Sequence, residues 1–403
     1  MHSLRRLRLL FFSGLGTAVL SAPAAAFADW PNFRGPHHDG ISDEKSFKTT
    51  WTEPIPVVWE REVGDAFSSF ACVGDRIYTC GTVEKRQVLF CLGADTGEVV
   101  WQKAFEDQYR ESMGGNGTRA TPTVADGRVY ILGARGTLLC VDAVTGAEVW
   151  TAKFQNEPQW GYSGSVLIEG DLAIVSAGKD DGALVAFNRK SGERVWKCGD
   201  DTVGYSTPYP FDWQGKRYVV GFLGESAIIA EVKTGRQVFA YPWKTDHDVN
   251  AAAPIFHDGY LFLGSGYDTG AGLLKLRTDG DNLAADLVWE SKVFLNKFQS
   301  CILHQGKLYA SDQKALVCAD FLTGSEQWRK TRIKNGTLVL ADGHFLLLTE
   351  HGELQIAKAS PEGFDPLTTA EVLGGRCWTV PVLHRGKLYA RNLDRVKCFN
   401  LRP

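Results

Sequence analysis

The 403-residue sequence lacks the motifs that mark several families of enzymes. No two of its nine cysteines are adjacent, and there is no CxxC pair and no CxxCH haem motif. It also has no HExxH zinc motif and no GxSxG nucleophile elbow. We therefore assign no catalytic residue and no metal ligand, and we expect a protein without catalysis of its own.

The sequence also lacks an excess of basic residues. Its 44 lysines and arginines stand against 47 aspartates and glutamates, which gives a formal net charge of −3. Proteins that bind nucleic acid or anionic membranes neutralise phosphate groups with a basic surface. We therefore expect no nucleic-acid partner.

Residues 1–28 have the organisation of a bacterial-type signal peptide. A basic region at 5–8 and an apolar core at 9–20 are followed by a small-x-small cleavage site at 26–28. The apolar core is short for a membrane span, although an uncleaved anchor is the alternative. We expect cleavage after Ala28 and export to the periplasm or the cell exterior, with no transmembrane segment in the mature chain.

Residues 120–150 contain one complete set of four short strands. They read ATPTVADGRVYILGARGTLLCVDAVTGAEVW, with strands predicted at 121–124, 128–132, 137–141 and 147–154. Glycine-containing turns separate these strands. Four antiparallel strands per repeat are typical of a propeller blade.

A large aromatic ring recurs in the fourth strand of most repeats. The positions are Trp59, Trp101, Trp150, Trp196, Phe239, Trp289 and Trp328. Consecutive positions lie 39 to 50 residues apart, which fits the period of a four-stranded blade. We predict a structural role for each ring, packed against the neighbouring blade.

The two ends of the repeat array complement each other. Residues 56–63 form a lone fourth strand, whereas residues 379–401 supply three strands and no fourth. The N-terminal strand should therefore complete the last blade and close the ring, which removes exposed sheet edges. We predict an all-β fold, an eight-bladed β-propeller of four-stranded antiparallel blades in one domain at 56–403, after a strap at 29–55. The fifth repeat has an expanded turn at 279–286.

The cysteines follow the repeat as well. Cys91, Cys140, Cys318 and Cys398 occupy the same third-strand position of four repeats and cannot all pair with one another. They are predicted to be buried thiols. Cys80 and Cys91 lie symmetrically about a turn at Lys85-Arg86, so a cross-strand disulfide between them is a further hypothesis.

These patterns resemble those of PQQ-like β-propeller repeat proteins. The resemblance is carried by the GxLxxxDxxTGxxxW repeat, the GRVY and GKLY second strands and the WPxxRGPxxxG strap. That group includes the outer-membrane assembly factor BamB and the quinoprotein alcohol dehydrogenases, and secreted single-domain forms look most similar. The resemblance implies the fold but not the function, because one repeat type serves scaffolds and enzymes. This chain lacks the adjacent cysteines of the dehydrogenases and the lipoprotein cysteine of BamB.

The residues just before each first strand predict a binding surface. The eight repeats place there Phe67, Arg119, Tyr162, Tyr205, Ala251, Phe298, Asn335 and Trp378, five of them aromatic and Arg119 the one charge. In a propeller these would form a ring at one mouth of the central channel, suited to a flat ligand, a peptide turn or a sugar face. Our candidate ligand-binding residues are Arg119, Trp160, Tyr162, Tyr205, Asn250, Phe298, Gln299, Arg376 and Trp378. Packing of each aromatic under the adjacent blade's loop is the alternative.

The leading functional hypothesis is an exported, monomeric binding or scaffold module. It would take a protein, small-molecule or glycan ligand at one channel mouth and need no cofactor. One alternative is a PQQ- or metal-dependent oxidoreductase, which would need PQQ with calcium. Another is a BamB-like component of envelope assembly.

We expect the exported protein to begin at Asp29, because the small residues at 26 and 28 fit the signal-peptidase site. Intact-mass spectrometry of protein recovered from a bacterial periplasm would measure the new N-terminus. A mass that retains residues 1–28 would instead support the uncleaved anchor.

Overall fold

The computed structural model describes residues 28–333 and 335–403 of the chain. Residues 1–27 lie outside this range, so the signal peptide stays a prediction from the sequence. The described residues contain 33 strands, which form eight separate sheets, and two one-turn 3-10 segments. This is the eight-bladed β-propeller that the repeats predict.

The strands group into blades in chain order. Two strands precede the first blade, namely β1 (Ile41–Ser42) and β2 (Val57–Glu62). Blades 1 to 4 comprise β3 (Ala71–Val73), β4 (Arg76–Val83), β5 (Arg86–Gly93), β6 (Val99–Asp107), β7 (Thr123–Ala125), β8 (Arg128–Leu132), β9 (Thr137–Asp142), β10 (Glu148–Lys153), β11 (Leu167–Glu169), β12 (Leu172–Ser176), β13 (Leu184–Asn188), β14 (Arg194–Cys198), β15 (Tyr209–Trp213), β16 (Lys216–Phe222), β17 (Ser226–Glu231) and β18 (Gln237–Pro242). Blades 5 to 8 comprise β19 (Ile255–His257), β20 (Tyr260–Ser265), β21 (Gly270–Asp279), β22 (Asn282–Ser291), β23 (Ile302–His304), β24 (Lys307–Ser311), β25 (Ala315–Asp320), β26 (Glu326–Thr331), β27 (Thr337–Ala341), β28 (His344–Leu348), β29 (Glu353–Lys358), β30 (Pro366–Glu371), β31 (Val382–His384), β32 (Lys387–Arg391) and β33 (Arg395–Asn400). The 3-10 segments are Lys179–Asp181 and Asp246–Asp248.

The ring closes as the chain ends predict. Strand β2 pairs antiparallel with β33 and becomes the outer strand of blade 8, with Trp59 opposite Cys398. The buried guanidinium of Arg391 on β32 adds a second closure, because it donates to the carbonyls of Ser68 (3.1 Å) and Cys80 (2.7 Å) in blade 1. The segment that precedes blade 1 is therefore a strand of blade 8, and side-chain hydrogen bonds also join the two blades.

A tryptophan makes the same contact between blades around most of the ring. Trp101 donates its indole N–H to the carbonyl of Ala143 (3.0 Å), and its ring lies on Gly146, where a Cβ would come within 2.7 Å. The equivalent pairs of contacts are Trp59 with Ala94 and Gly97, Trp150 with Arg189 and Gly192, Trp196 with Val232 and Gly235, and Trp289 with Phe321 and Gly324. Trp328 donates to the carbonyl of Ser360, and Phe239 packs in the apolar cluster between blades 4 and 5.

Hydroxyl groups join the inner strands where the sequence has its small residues. The amide of Ser69 donates to Thr121 Oγ1 (3.3 Å), and that of Thr121 donates to Ser165 Oγ (2.9 Å). The amide of Ser165 continues the series to Thr207 Oγ1 (2.9 Å). Small hydroxyl side chains at these positions thus satisfy backbone groups where the crowded inner strands begin.

The N-terminal strap crosses the end of the channel where first strands turn into second strands. Trp30 forms a β-bridge with Cys72 of blade 1, and the amide of Val124 in blade 2 donates to the carbonyl of Pro31 (2.8 Å). Further along, β1 adds to β27 as a fifth, parallel strand of blade 7. The strap therefore contacts blades on different sides of the axis.

Two expectations from the sequence are wrong in detail. The expanded segment of the fifth repeat is not a loop, since β21 and β22 continue their ladder to Asp279 and Asn282, with Gly280-Asp281 as the turn. The turn between β4 and β5 of blade 1 lies at Glu84-Lys85, so Leu89 faces Cys80 and Tyr78 faces Cys91. The two cysteines are therefore offset by two residues along the ladder, and both are unpaired thiols.

In the described residues, 28–333 and 335–403, no helical segment has the length and apolar character that a bilayer-spanning helix needs.

Alanine substitution of two glycines with the same φ distinguishes the cost of losing the tryptophan contact from the cost of backbone strain. Gly146 and Gly127 both have φ of +73°, but a Cβ on Gly127 would meet nothing within 4 Å. We expect Gly127→Ala to cost about 1–2 kcal/mol for the left-handed conformation. Gly146→Ala should cost about 1–3 kcal/mol more, because the methyl group displaces Trp101.

Equilibrium denaturation of the two variants measures this difference in the free energy of unfolding. Equal losses would show that the indole does not depend on the bare glycine backbone.

Candidate binding site at the mouth of the central channel

A cavity of about 480 Å³ occupies the central channel. At one end it is lined by exposed side chains of the loops between blades, among them Met113, Gln159 and His247. At the other end it reaches Phe33 and Arg34 of the strap, which forms its floor. The site thus has one open mouth and one closed end.

Trp378 of blade 8 is the centre of an aromatic cluster at the mouth. Its ring stacks on Phe67 of blade 1, with centroids 5.8 Å apart, and packs on Phe298 of blade 6 at 5.0 Å. The guanidinium carbon of Arg376 lies 4.5 Å from the Trp378 ring centroid. Three blades therefore contribute to one half-buried apolar surface with a cation on it.

Arg119 lies next to this cluster, with its guanidinium carbon 5.6 Å from the Phe67 ring centroid. Its guanidinium lies 4.5 Å from the ring centroid of Tyr109 and donates to the carbonyls of Trp160 (3.0 Å), Gly115 (2.6 Å) and Gly117. Burial lowers the pKa of Arg119 to about 10, so the side chain remains a cation at neutral pH. Its main geometric role is to hold the loop before blade 2 against blade 3.

Tyr205 and Trp160 form a connected pair beside Arg119. The Tyr205 hydroxyl accepts the backbone N–H of Trp160 (3.3 Å), and burial raises the pKa of Tyr205. The indole Nε1–H of Trp160 is buried and has no hydrogen-bond partner among residues 28–333 and 335–403. A ligand or an ordered water that reaches this donor would gain a hydrogen bond.

Six of the nine candidate residues line the cavity: Arg119, Trp160, Tyr205, Phe298, Gln299 and Trp378. Arg376 lies next to the cavity, on the outer side of the Trp378 ring, and donates to the carbonyl of Gly114. The column of residues before the first strands therefore points to a real cavity, although it does not form a complete ring.

Two predicted site residues do not line the cavity: Tyr162 of the predicted ring, and Asn250, a candidate for a polar contact beside it. Tyr162 is 1% exposed, packs on Phe154 and donates its hydroxyl to the carbonyl of Ala177 (3.0 Å). Asn250 is fully buried and binds the carbonyls of Leu223 and Trp243 through Nδ2. Tyr162 thus follows the packing alternative stated for the aromatic residues of this column, and Asn250 satisfies backbone carbonyls.

Sequence reasoning missed several residues of the site. Lys297 and Tyr267 line the mouth, with the Lys297 ammonium 5.6 Å from the Tyr267 ring centroid, and Glu111 lines it from the loop before blade 2. Arg119 is therefore not its single charge. Lys297 directly precedes Phe298 in the sequence, which was the one available signal, whereas Tyr267 lies in a loop outside the repeat column. Arg34 was visible only as part of the strap motif.

The acidic groups near the cavity are already bonded. Both carboxylate oxygens of Glu111 accept backbone N–H groups, from Met113, Gly114 and Gly115. Burial favours the neutral form of Glu111, but these hydrogen bonds outweigh it and lower the pKa. In the described part of the chain, no group of three or more His, Cys, Asp or Glu side chains is arranged to hold a metal ion.

Comparison with known proteins gives two kinds of relatives. A family model described as outer membrane protein assembly factor BamB matches residues 85–330. BamB of Burkholderia pseudomallei is 27% identical over 198 residues, covering 38% of this chain and 50% of that protein. The quinoprotein alcohol dehydrogenase PedH of Pseudomonas putida is 36% identical over 84 residues, covering 21% of this chain and 13% of that protein. The matches thus span half or less of these curated relatives.

Solved structures show the same two groups. BamB from Moraxella catarrhalis aligns with a TM-score of 0.58 at 15% identity, covering 86% of this chain and 98% of that one. The quinohemoprotein alcohol dehydrogenase from Comamonas testosteroni aligns with a TM-score of 0.66 at 12% identity, covering 92% of this chain and 80% of that one. At such identities the likeness extends to the fold alone.

Acid should destabilise the strap beneath the cavity through His38. Burial, followed by the charges of Arg217 and Arg34 and by His37, lowers the pKa of His38 from 6.5 to about 4. The unfolded chain therefore binds this proton more readily, and stability falls as pH drops from about 6.5 to about 4. The loss should be of the order of 2 kcal/mol.

His38→Asn is the matched control, because asparagine tolerates the φ of +59° at this position and does not titrate. Urea denaturation at pH 7 and pH 4.5 should show a smaller loss of stability for the variant than for the parent. Asp39 and the other carboxylates titrate in both proteins, so equal pH dependence would exclude His38 as the cause.

Proposed function

The chain belongs to the PQQ-like propeller family described as outer membrane protein assembly factor BamB, and on this premise we propose that it is a binding module without catalysis of its own. Its ligand, or a segment of its partner, would enter the open mouth of the central channel. We further propose that the protein is exported, since its N-terminal residues have the pattern of a signal peptide.

One observation carries this proposal: the cavity combines apolar rings with cationic side chains at a solvent-accessible mouth. Phe67, Phe298 and Trp378 offer ring surfaces, while Lys297 makes no ion pair or hydrogen bond to any described residue. Concave apolar sites of about 300–1,000 Å³ with few polar groups are typical of ligand sites. The volume of about 480 Å³ lies within this range.

The quinoprotein alternative receives less support from the lining residues. A quinone with calcium needs oxygen ligands for the ion. Among the described residues Glu111 is the one carboxylate that lines the cavity, and both of its oxygens already accept backbone N–H groups. The described cysteines are unpaired, eight of them buried and Cys198 partly buried, so no disulfide among the described residues faces the cavity. The residues present do not fit a PQQ–calcium pair, and we derive no redox step from them.

A role in envelope assembly is the second candidate function, and the family match favours it. A partner protein could insert an aromatic or acidic segment into the same mouth. This would make the cavity a protein-docking site rather than a small-molecule site.

Substitution of Trp378 should abolish binding at the mouth without unfolding the protein, because its ring is only partly buried and packs on the side chains of Phe67 and Phe298 rather than inside a blade. We expect Trp378→Ala to lose the ligand or partner that co-purifies with the parent, with a melting temperature within about 3 °C of the parent's. Affinity purification from the host envelope and culture supernatant followed by native mass spectrometry measures binding, and a thermal denaturation curve measures the melting temperature.

Val58→Ala, on the outer strand and 41% exposed, is the matched control and should retain binding. Tyr205→Ala should lower both binding and the melting temperature, since Tyr205 is buried and holds the backbone of Trp160. Retained binding in Trp378→Ala would contradict the proposal. So would alcohol oxidation in a dye-linked assay after loading with PQQ and calcium.

A further inference from the structure

Arg34 of the strap is a buried cation at the closed end of the cavity. The residue is 6% exposed and lines the cavity floor beside Phe33. Its Nε donates to the carbonyl of His38 (3.2 Å), and its Nη2 donates to the carbonyls of Asp39 (2.6 Å) and Cys301 (2.6 Å). Three of the five N–H donors are thereby used.

The remaining nitrogen of the Arg34 guanidinium is Nη1. Among the residues described, none accepts a hydrogen bond from Arg34 Nη1, and none places a carboxylate oxygen within 4.0 Å of the guanidinium. Asp39 lies nearby, but its Oδ1 accepts the N–H of Ile41. Burial lowers the pKa of Arg34, and the charge of the nearby Asp39 carboxylate partly opposes this shift. A buried guanidinium with two free donors is costly unless an anion or water completes it.

The backbone is also held in an unfavourable conformation to place this side chain. Arg34 has φ of +67°, in the left-handed region that arginine rarely adopts. The next residue, Gly35, has φ of +79° and lies against the Trp30 ring, where a Cβ would come within 2.7 Å. The packing of Trp30 thus enforces the turn that directs Arg34 to the channel, and strain of this kind is concentrated at functional sites.

The walls above Arg34 combine apolar side chains with hydroxyl groups that already donate to backbone carbonyls, such as Ser69 to Val380 (2.7 Å) and Ser163 to Tyr205 (2.8 Å). Val249, Ala251, Leu338 and Val380 line the cavity between the floor and the aromatic mouth. A ligand that reaches Arg34 must therefore be apolar along its length and anionic at its inner end. Lys297 and Arg119 at the mouth would favour the approach of such an anion.

We propose that Arg34 binds the carboxylate of an organic acid whose flat apolar body fills the channel up to Trp378. The two N–H bonds of Nη1 diverge, so one of them would donate to a carboxylate oxygen, and such a charge-assisted hydrogen bond is stronger than a neutral one. This inference rests on the proposed function, since it names the class of ligand for the same cavity.

The probe for the experiment is 2-naphthoate, compared with its neutral analogue 2-naphthamide. Both have the same two fused rings, and they differ in the charge of the group that would meet Arg34. Isothermal titration calorimetry with the full mature chain at pH 7 gives both affinities. We expect the acid to bind about 10- to 100-fold more tightly than the amide.

The variants assign this preference to the floor of the cavity. Arg34→Gln should remove the preference for the acid while leaving the affinity for the amide within about twofold, and Arg34→Lys should keep part of it because the charge remains. Lys190→Gln removes an exposed cation distant from the cavity and should change neither affinity. If Arg34→Gln fails to fold, two other measurements decide: the affinities of Arg34→Lys, and a structure of the parent protein with naphthoate. In that structure we expect the carboxylate within about 3 Å of Arg34 Nη1.

The outcomes separate this inference from the proposed function. Equal binding of acid and amide, both lost in Trp378→Ala, would overturn the role of Arg34 and keep the cavity as a binding site. A preference for the acid that survives in Arg34→Gln and is lost in Lys297→Gln would place the anion at the mouth, and would also overturn it. Binding of neither probe would overturn the inference while leaving protein docking at the mouth to the purification experiment.

Discussion

The contact of a tryptophan ring with a bare glycine of the next blade is the constraint on which the ring depends. Trp101 can lie flat on Gly146 and donate to Ala143 only because no Cβ separates the indole from the backbone. The contact combines burial of a large ring with a satisfied N–H donor. Its repetition sets the spacing between blades, and that spacing defines the width of the channel that holds the cavity.

In blade 7, which lacks the tryptophan, contacts with the strap take the place of this contact. Blade 7 has Thr368 at the tryptophan position, and its hydroxyl donates to the carbonyl of Thr49 in the strap (2.8 Å). The same strap adds β1 to the inner edge of this blade. The strap that contacts this blade also crosses the channel axis, and its path places Arg34 at the floor of the channel. Ring stability and the chemistry of the cavity floor are therefore linked.

The candidate site is built from departures from the repeat rather than from the repeat itself. Trp378 and Phe298 reach into the mouth, whereas the equivalent Tyr162 turns between blades and is buried. A preceding glycine, Gly161 with φ of +72°, changes the direction of the chain there. One column of the repeat thus supplies both ligand-facing rings and packing rings, and the local backbone decides which.

The sequence by itself determined the number of blades, the closure by residues 56–63 and the turn glycines, because these follow from short-range patterns repeated eight times. Six of the nine candidate residues named from the sequence line the cavity, because equivalent positions in a closed ring converge on one axis. Only the tertiary structure decided that Arg34 belongs to the site. Its guanidinium meets the carbonyl of Cys301, which is 267 residues away along the chain. The path of a strap without repeats depends on which blades it contacts, and no local pattern encodes such contacts.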